Sequence, residues 1–214
     1  MPPDRSADDT RDRLLRAAAM AFAEHGYDGA STRDICAAAG ANLAAIHYHF
    51  GDKQALYRAV LDEPLRQLDL ATAALADPGI SVDEGIERLV HGLLLPLRAG
   101  ITGRALVRLV QAAWADQHHP LPDPVAVRRH FAAVCALIAR GVGADRPDDP
   151  TVVTLAIAIV GMCHLAVVGA PMAGPVVAPL FATPADLDAL AARLVRHARD
   201  LIAAETRRRT GALP

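Results

Sequence analysis

Lysine is almost missing from this sequence: Lys53 is the single lysine among 22 basic residues in a chain of 214. Aromatic residues are scarce as well, at 4%, too few to build the stacking platforms on which single-stranded nucleic acid lies. Cysteine occurs three times (Cys36, Cys135 and Cys163), an odd number with no CxxC spacing. That argues against a disulfide framework or a structural zinc site and suits a reducing cytosol, so a cytoplasmic protein is expected. A one-sided charge is also absent. The net charge of −2 excludes a strongly basic, non-specific nucleic-acid binder, but leaves room for a small local DNA-reading surface. Residues 1–16 are polar and include Asp4, Asp8, Asp9 and Asp12, which is not the pattern of a secretory signal.

What is present is apolar and helical. Hydrophobic residues make up 52% of the chain, enough for a sizeable core in one or two domains. Leu14, Ala18 and Phe22 form a stripe at helical spacing that stops at Gly26. Ser31 and Asp34 read as a capping box for a short helix ending at Gly40. Asn42 caps a third helix through His49, and Asp52 a fourth that continues to Ala76. Pro64 lies inside that fourth helix and predicts a bend there, because its ring removes the bond to the carbonyl of Val60. Ile86, Leu89, Val90, Leu93, Leu94 and Leu97 follow the capping pair Ser81 and Glu84; Leu106, Val110 and Trp114 mark a sixth helix. Asp123-Pro124 opens a seventh that stops at Gly141, and Asp149-Pro150 and Thr183-Pro184 open two more, the last amphipathic from Ala185 to Thr206. The tail RRRTGALP reads as frayed and solvated. Nothing alternates with period two for long enough to make a strand, so the fold class expected is all-α with about nine helices.

The run from Val152 to Ala170 approaches bilayer-spanning length. His164 inside it, Asp148 and Asp149 at one end, and the lack of a basic flank favour a helix buried in a core or against a partner subunit. No Ser/His/Asp constellation, P-loop or GxGxxG is present, so neither an enzyme nor a cofactor is expected. His118-His119-Pro120 reads as a loop, since adjacent histidines converge poorly on one metal ion, and no metal site is expected.

Residues 32–50 carry the most information. TRDICAAA, then GAN, then LAAIHYHF has the spacing of two short helices joined at a glycine turn, with Ile35, Ala38 and Ala39 facing Ile46 and Phe50. Residues 10–61 resemble the DNA-binding domain of the TetR family of bacterial transcriptional regulators. The features that carry this are Ala18, Phe22, Gly26 and Tyr27 at the end of the first helix, STRDI through Gly40, IHYHF, and GDKQAL with Lys53 and Leu56. The wording NLAAIHYHFGDKQALY looks most like the subgroup typified by CecR.

The resemblance implies an N-terminal three-helix helix-turn-helix domain over residues 1–60 and a helical ligand-binding and dimerisation domain over 61–214. It implies that Thr32, Arg33 and Lys53 hold DNA phosphates. Asn42, Leu43, Ala44, Ala45 and His47 would meet base edges, and Tyr48 would reach a phosphate while its ring packs on the domain. Leu43, Ala44 and Ala45 supply no bidentate donor set, which shifts specificity toward thymine methyls, His47 and DNA shape. Residues 1–60 hold seven Lys/Arg against eight Asp/Glu, so binding rests on placement and not on net charge. The implied partners are double-stranded operator DNA, an unknown small molecule and a second copy of the chain held through the last two helices, with no membrane. Leu93, Leu97, Val107, Gln111, Trp114, Phe131, Cys135 and His164 are candidate walls of a ligand pocket among the helices. The expected function is a ligand-responsive regulator, a repressor that leaves a palindromic operator when the small molecule binds. The alternative is a helical ligand-binding or scaffolding protein whose helix-turn-helix is purely structural.

Overall fold

The computed structural model describes residues 5–115, 124–176 and 178–211. Among these the chain forms nine α-helices and no strand: α1 (Arg5–Gly29), α2 (Thr32–Ala39), α3 (Leu43–His49), α4 (Lys53–Ala76), α5 (Val82–Arg98), α6 (Gly100–Ala115), α7 (Pro124–Val142), α8 (Pro150–Ala173) and α9 (Pro184–Thr210). Two 3₁₀ turns, Gly174–Val176 and Ala178–Phe181, lie between the last two helices. His118, His119 and Pro120 fall outside the described residues.

The helix ends follow local chemistry. Gly26 breaks the first helix with a φ of 69°. Ser31 Oγ accepts the Asp34 N–H at 3.4 Å, and only this arm of the expected capping box is formed. The full reciprocal box occurs instead at Thr183, whose N–H donates to Asp186 Oδ2 at 3.0 Å while Asp186 N–H donates back to Thr183 Oγ1 at 3.2 Å. The seventh helix passes through Gly141 and ends at Val142. Gly141 serves close packing: a Cβ there would lie 3.0 Å from both Ile202 Cγ2 and Val82 Cγ1. The last helix continues through the arginines expected to fray. Arg209 pairs with Glu205 at 2.8 Å and with Asp149 at 3.0 Å, which ties the end of α9 to the cap of α8. That pairing also holds the Asp149 carboxyl below the usual carboxylate range, its hydrogen bond from Arg209 being the largest cause.

The chain divides into two compact units. Unit one contains α1, α2, α3, α4 as far as Arg66, and α6. Unit two contains α4 from Gln67, then α5 and α7 to α9. The division therefore falls inside α4, which is one continuous helix through Pro64, and α6 returns to pack on α1. Leu14, Phe22, Ile35, Ile46, Leu56 and Leu61 form the fully buried centre of unit one.

In unit two, α5 packs against α8 and α9 around Ile86, Val90, Ile159 and Ala198. The eighth helix buries Val152, Ala156, Ile159, Cys163 and Val167. Its opposite stripe is apolar yet open, with Ile157 60% and Leu165 66% exposed. Residues Pro150–Gly169 have the length and composition of a membrane span, and one third of that window (33%) is buried within the chain.

Candidate nucleic-acid interface

In unit one, α2 and α3 are joined by Gly40, whose φ of 60° lies in the left-handed region that favours glycine. Ile35, Ala39 and Ile46 are buried where these helices meet. Ala38, expected there, is exposed, because Ala39, one turn on from Ile35, takes the inward position. Phe50 is half-buried beneath the Arg11 guanidinium, 5.4 Å from its ring centroid. Arg13 Nε donates to the carbonyl of Ala39 at 2.9 Å, fastening α1 to the end of α2. Cys36 Sγ–H donates to the carbonyl of Asn42 at 3.4 Å; the thiol is buried, which pushes its pKa up.

Asn42 caps α3 by accepting the Ala45 N–H on Oδ1 at 3.0 Å. That bond uses one of the two lone pairs of the carboxamide oxygen, and the residue is exposed. Beyond it, Leu43, Ala44, His47 and Tyr48 are exposed and Ala45 is half-buried. Tyr48 departs from the expectation that its ring packs on the domain. It is 81% exposed and meets the edge of the His49 ring at 4.9 Å. The reason is angular: two residues after buried Ile46, a side chain points about 200° round the helix. His47 Nδ1 lies 2.7 Å from the carbonyl of Gly51.

Two basic side chains stand on the neighbouring helices α2 and α4. Arg33 is exposed in the first turn of α2, next to half-buried Thr32. Lys53 opens α4; its Nζ donates to the carbonyl of Asp28 at 3.3 Å and stands 4.8 Å from the Tyr27 ring centroid. Tyr27 is seated in turn against Phe22 and Tyr57, at centroid distances of 6.1 and 5.1 Å. Burial, then the nearby Asp52 and Asp28 carboxylates, raise the Tyr27 phenol, so a neutral ring supports the ammonium. Asp52 is itself engaged, accepting the Ala55 N–H at 2.7 Å as the cap of α4.

The pocket candidates are not gathered in one unit. Val107, Gln111 and Trp114 stand on α6 of unit one, the side chain of Trp114 lying outside the described ones. Leu93 and Leu97 on α5, Phe131 and Cys135 on α7, and His164 on α8 belong to unit two. Unit two also holds His130, a buried polar residue outside the candidates expected from sequence. It is 8% exposed and its Nδ1 lies 3.0 Å from Thr72 Oγ1; that hydroxyl donates its one proton to the carbonyl of Leu68 at 2.7 Å, so it accepts from the His130 ring. The available signal was its place four residues from both Ala126 and Val134, on the buried stripe of α7.

Burial lowers the His130 pKa, so the folded chain holds the ring neutral where the unfolded chain would bind a proton. Stability should therefore fall as pH drops below the ordinary histidine value near 6.5, by at most about 1.4 kcal/mol per pH unit until the lowered value is passed. Urea titrations at pH 7.5 and 5.5 should show a smaller loss for His130→Leu than for the wild type. Equal losses would mean that another group controls this window.

Fold and surface together define an all-α helix-turn-helix protein with a second helical unit. Residues 14–60 match the family model for bacterial regulatory proteins of the tetR family. The HTH-type transcriptional repressor SCO4008 of Streptomyces coelicolor is 30% identical over 171 residues, 77% of this chain and 81% of that protein. The chain belongs to the TetR family. The HTH-type transcriptional repressor AcnR of Corynebacterium glutamicum is 30% identical over 128 residues, covering 56% of this chain and 63% of AcnR, so the match spans less than two thirds of that relative. Among solved structures, the multidrug binding protein EbrR complexed with malachite green shares the fold, with a TM-score of 0.55 at 24% identity over 95% of this chain and 98% of the other.

Proposed function

We propose that this chain is a DNA-binding transcriptional regulator of the cytoplasm, a repressor that acts as a homodimer on a palindromic operator and is released by a small molecule. The observation that carries the reading is the capped helix α3, which hides Ile46 and presents Leu43, Ala44, His47 and Tyr48 outward, with Arg33 exposed on α2 and Lys53 at the start of α4. Such a helix fits a major groove, with the two cations against phosphates. Paired half-sites require a two-fold dimer, and the open apolar stripe on α8 supplies a surface for one. The regulators SCO4008 and AcnR support the repressor role, and EbrR with its bound dye supports a small-molecule effector. For the pocket we favour unit two, where Leu93, Leu97, Phe131 and Cys135 offer apolar walls and the Thr72–His130 pair a polar handle. A ligand that binds the DNA-incompetent conformation more tightly lowers operator affinity by linkage. The CecR-like subgroup is part of this proposal and rests on the wording of residues 42–57.

The test is a mobility shift on the DNA flanking the chain's own gene, with Lys53→Ala beside the wild type. The wild type should bind, and the variant should bind all sequences more weakly. Its log–log salt slope should be shallower by about two per dimer, one phosphate being lost per protomer. No shift at micromolar protein would leave the helix-turn-helix structural. An unchanged slope would remove Lys53 from the phosphate contacts.

A further inference from the structure

The ring of His47 is held in one tautomer by the end of its own helix. Gly51 has a φ of 90°, a left-handed conformation that folds the chain back after α3. Its N–H closes the helix on the carbonyls of Ile46 and His47, both at 3.1 Å, while its own carbonyl reaches the His47 ring at 2.7 Å. An amide carbonyl can only accept, so Nδ1 must carry the proton. In a neutral imidazole the other nitrogen then has a bare lone pair. Nε2 of His47 is on an exposed side chain with no other hydrogen bond among the described residues.

Of the outward groups on α3, Leu43 and Ala44 offer hydrocarbon, Asn42 Oδ1 spends one of its two lone pairs on Ala45, and the Tyr48 hydroxyl both donates and accepts. With the proton on Nδ1, Nε2 of His47 accepts only. In the major groove, cytosine presents its N4 amino group and adenine its N6 amino group as donors. Guanine presents acceptors at O6 and N7, and thymine an acceptor at O4 beside its methyl. Two lone pairs facing each other repel, so a fixed acceptor discriminates by the chemical class of the base edge.

Resting on the DNA-binding reading above, we propose that His47 is a specificity-determining residue: the Gly51 carbonyl fixes its Nδ1–H tautomer, so that Nε2 accepts from the amino group of a cytosine or adenine in each half-site. The pairing gives the operator an amino base at one symmetric position per half-site and disfavours guanine and thymine there. It also separates the roles on α3: apolar Leu43 and Ala44 sense thymine methyls, while His47 supplies polar readout.

The test has two arms. Long-range ¹⁵N–¹H correlation spectra of the full-length protein at pH 8 should show the His47 proton on Nδ1 and none on Nε2. Selection from random double-stranded DNA should return a palindrome with cytosine or adenine at the position opposite His47. His47→Ala should retain the rest of the palindrome but lose about fivefold in discrimination at that position, the scale of one net hydrogen bond. His47→Arg, a donor that suits O6 and N7, should turn the preference to guanine. A proton on Nε2 overturns the proposal whatever DNA is bound. A palindrome whose guanine or thymine preference vanishes in His47→Ala, or one that His47→Ala leaves unchanged, also overturns it while leaving DNA binding intact. If wild-type protein with the Nδ1–H tautomer enriches no sequence, the DNA-binding reading fails and takes the proposal with it.

Discussion

Phe22→Ala should cost unit one about 3–5 kcal/mol, the usual range for emptying a buried phenylalanine site. Phe22 is 1% exposed, and its ring lies edge-on to Tyr57 at 5.1 Å and stacked with Tyr27 at 6.1 Å. The surrounding helices cannot close the gap easily, because Leu14, Ile35 and Leu56 are themselves fully buried and close-packed. A loss of that size is a large share of the 5–15 kcal/mol by which domains are ordinarily stable. Function should fail along with stability, since Tyr27 carries the Lys53 ammonium on its face. Urea unfolding followed in the aromatic region would measure the cost, and Phe22→Leu should recover most of it by refilling volume. A Phe22→Ala protein with wild-type stability would mean that this aromatic cluster is not the organising core of unit one.

The second large effect concerns α8. Replacing both Ile157 and Leu165 by aspartate should convert the proposed dimer into a folded monomer and reduce operator affinity at least ~100-fold, because joined half-sites bind far more tightly than separate ones. Each side chain is more than half exposed in the single chain, at 60% and 66%. Aspartates there would be solvated in a monomer and leave its fold intact. Across a two-fold axis, four apolar side chains would be covered, each worth about 1.5–3 kcal/mol when fully buried; four unpaired carboxylates in the same place would oppose association. Sedimentation at micromolar concentration, with circular dichroism as the folding control, decides the matter. A wild-type monomer would sink the dimer reading. A double variant that remains dimeric would place the interface elsewhere.

Local sequence chemistry sets the helices and most of their ends. Ser31, Asn42, Asp52, Ser81, Asp149 and Thr183 cap helices as their chemistry predicts, because a capping bond forms between residues two or three apart and needs little else. The short α2–turn–α3 segment was legible for the same reason, its left-handed Gly40 and inward Ile35 and Ile46 lying within a dozen residues of one another. Tertiary structure decided what depends on which faces meet. Only packing on α1 brings α6 into unit one. Gly141 reads locally as a stop, yet the proximity of Val82 and Ile202 makes it a point of close approach inside the helix. Likewise, Tyr48 turns outward because buried Ile46 sets the rotation of α3. His130 becomes a neutral group inside unit two only once α7 and the second half of α4 are folded around it. Periodicity and caps are energies between chain neighbours, whereas these four features come from desolvation and excluded volume between residues distant in the chain.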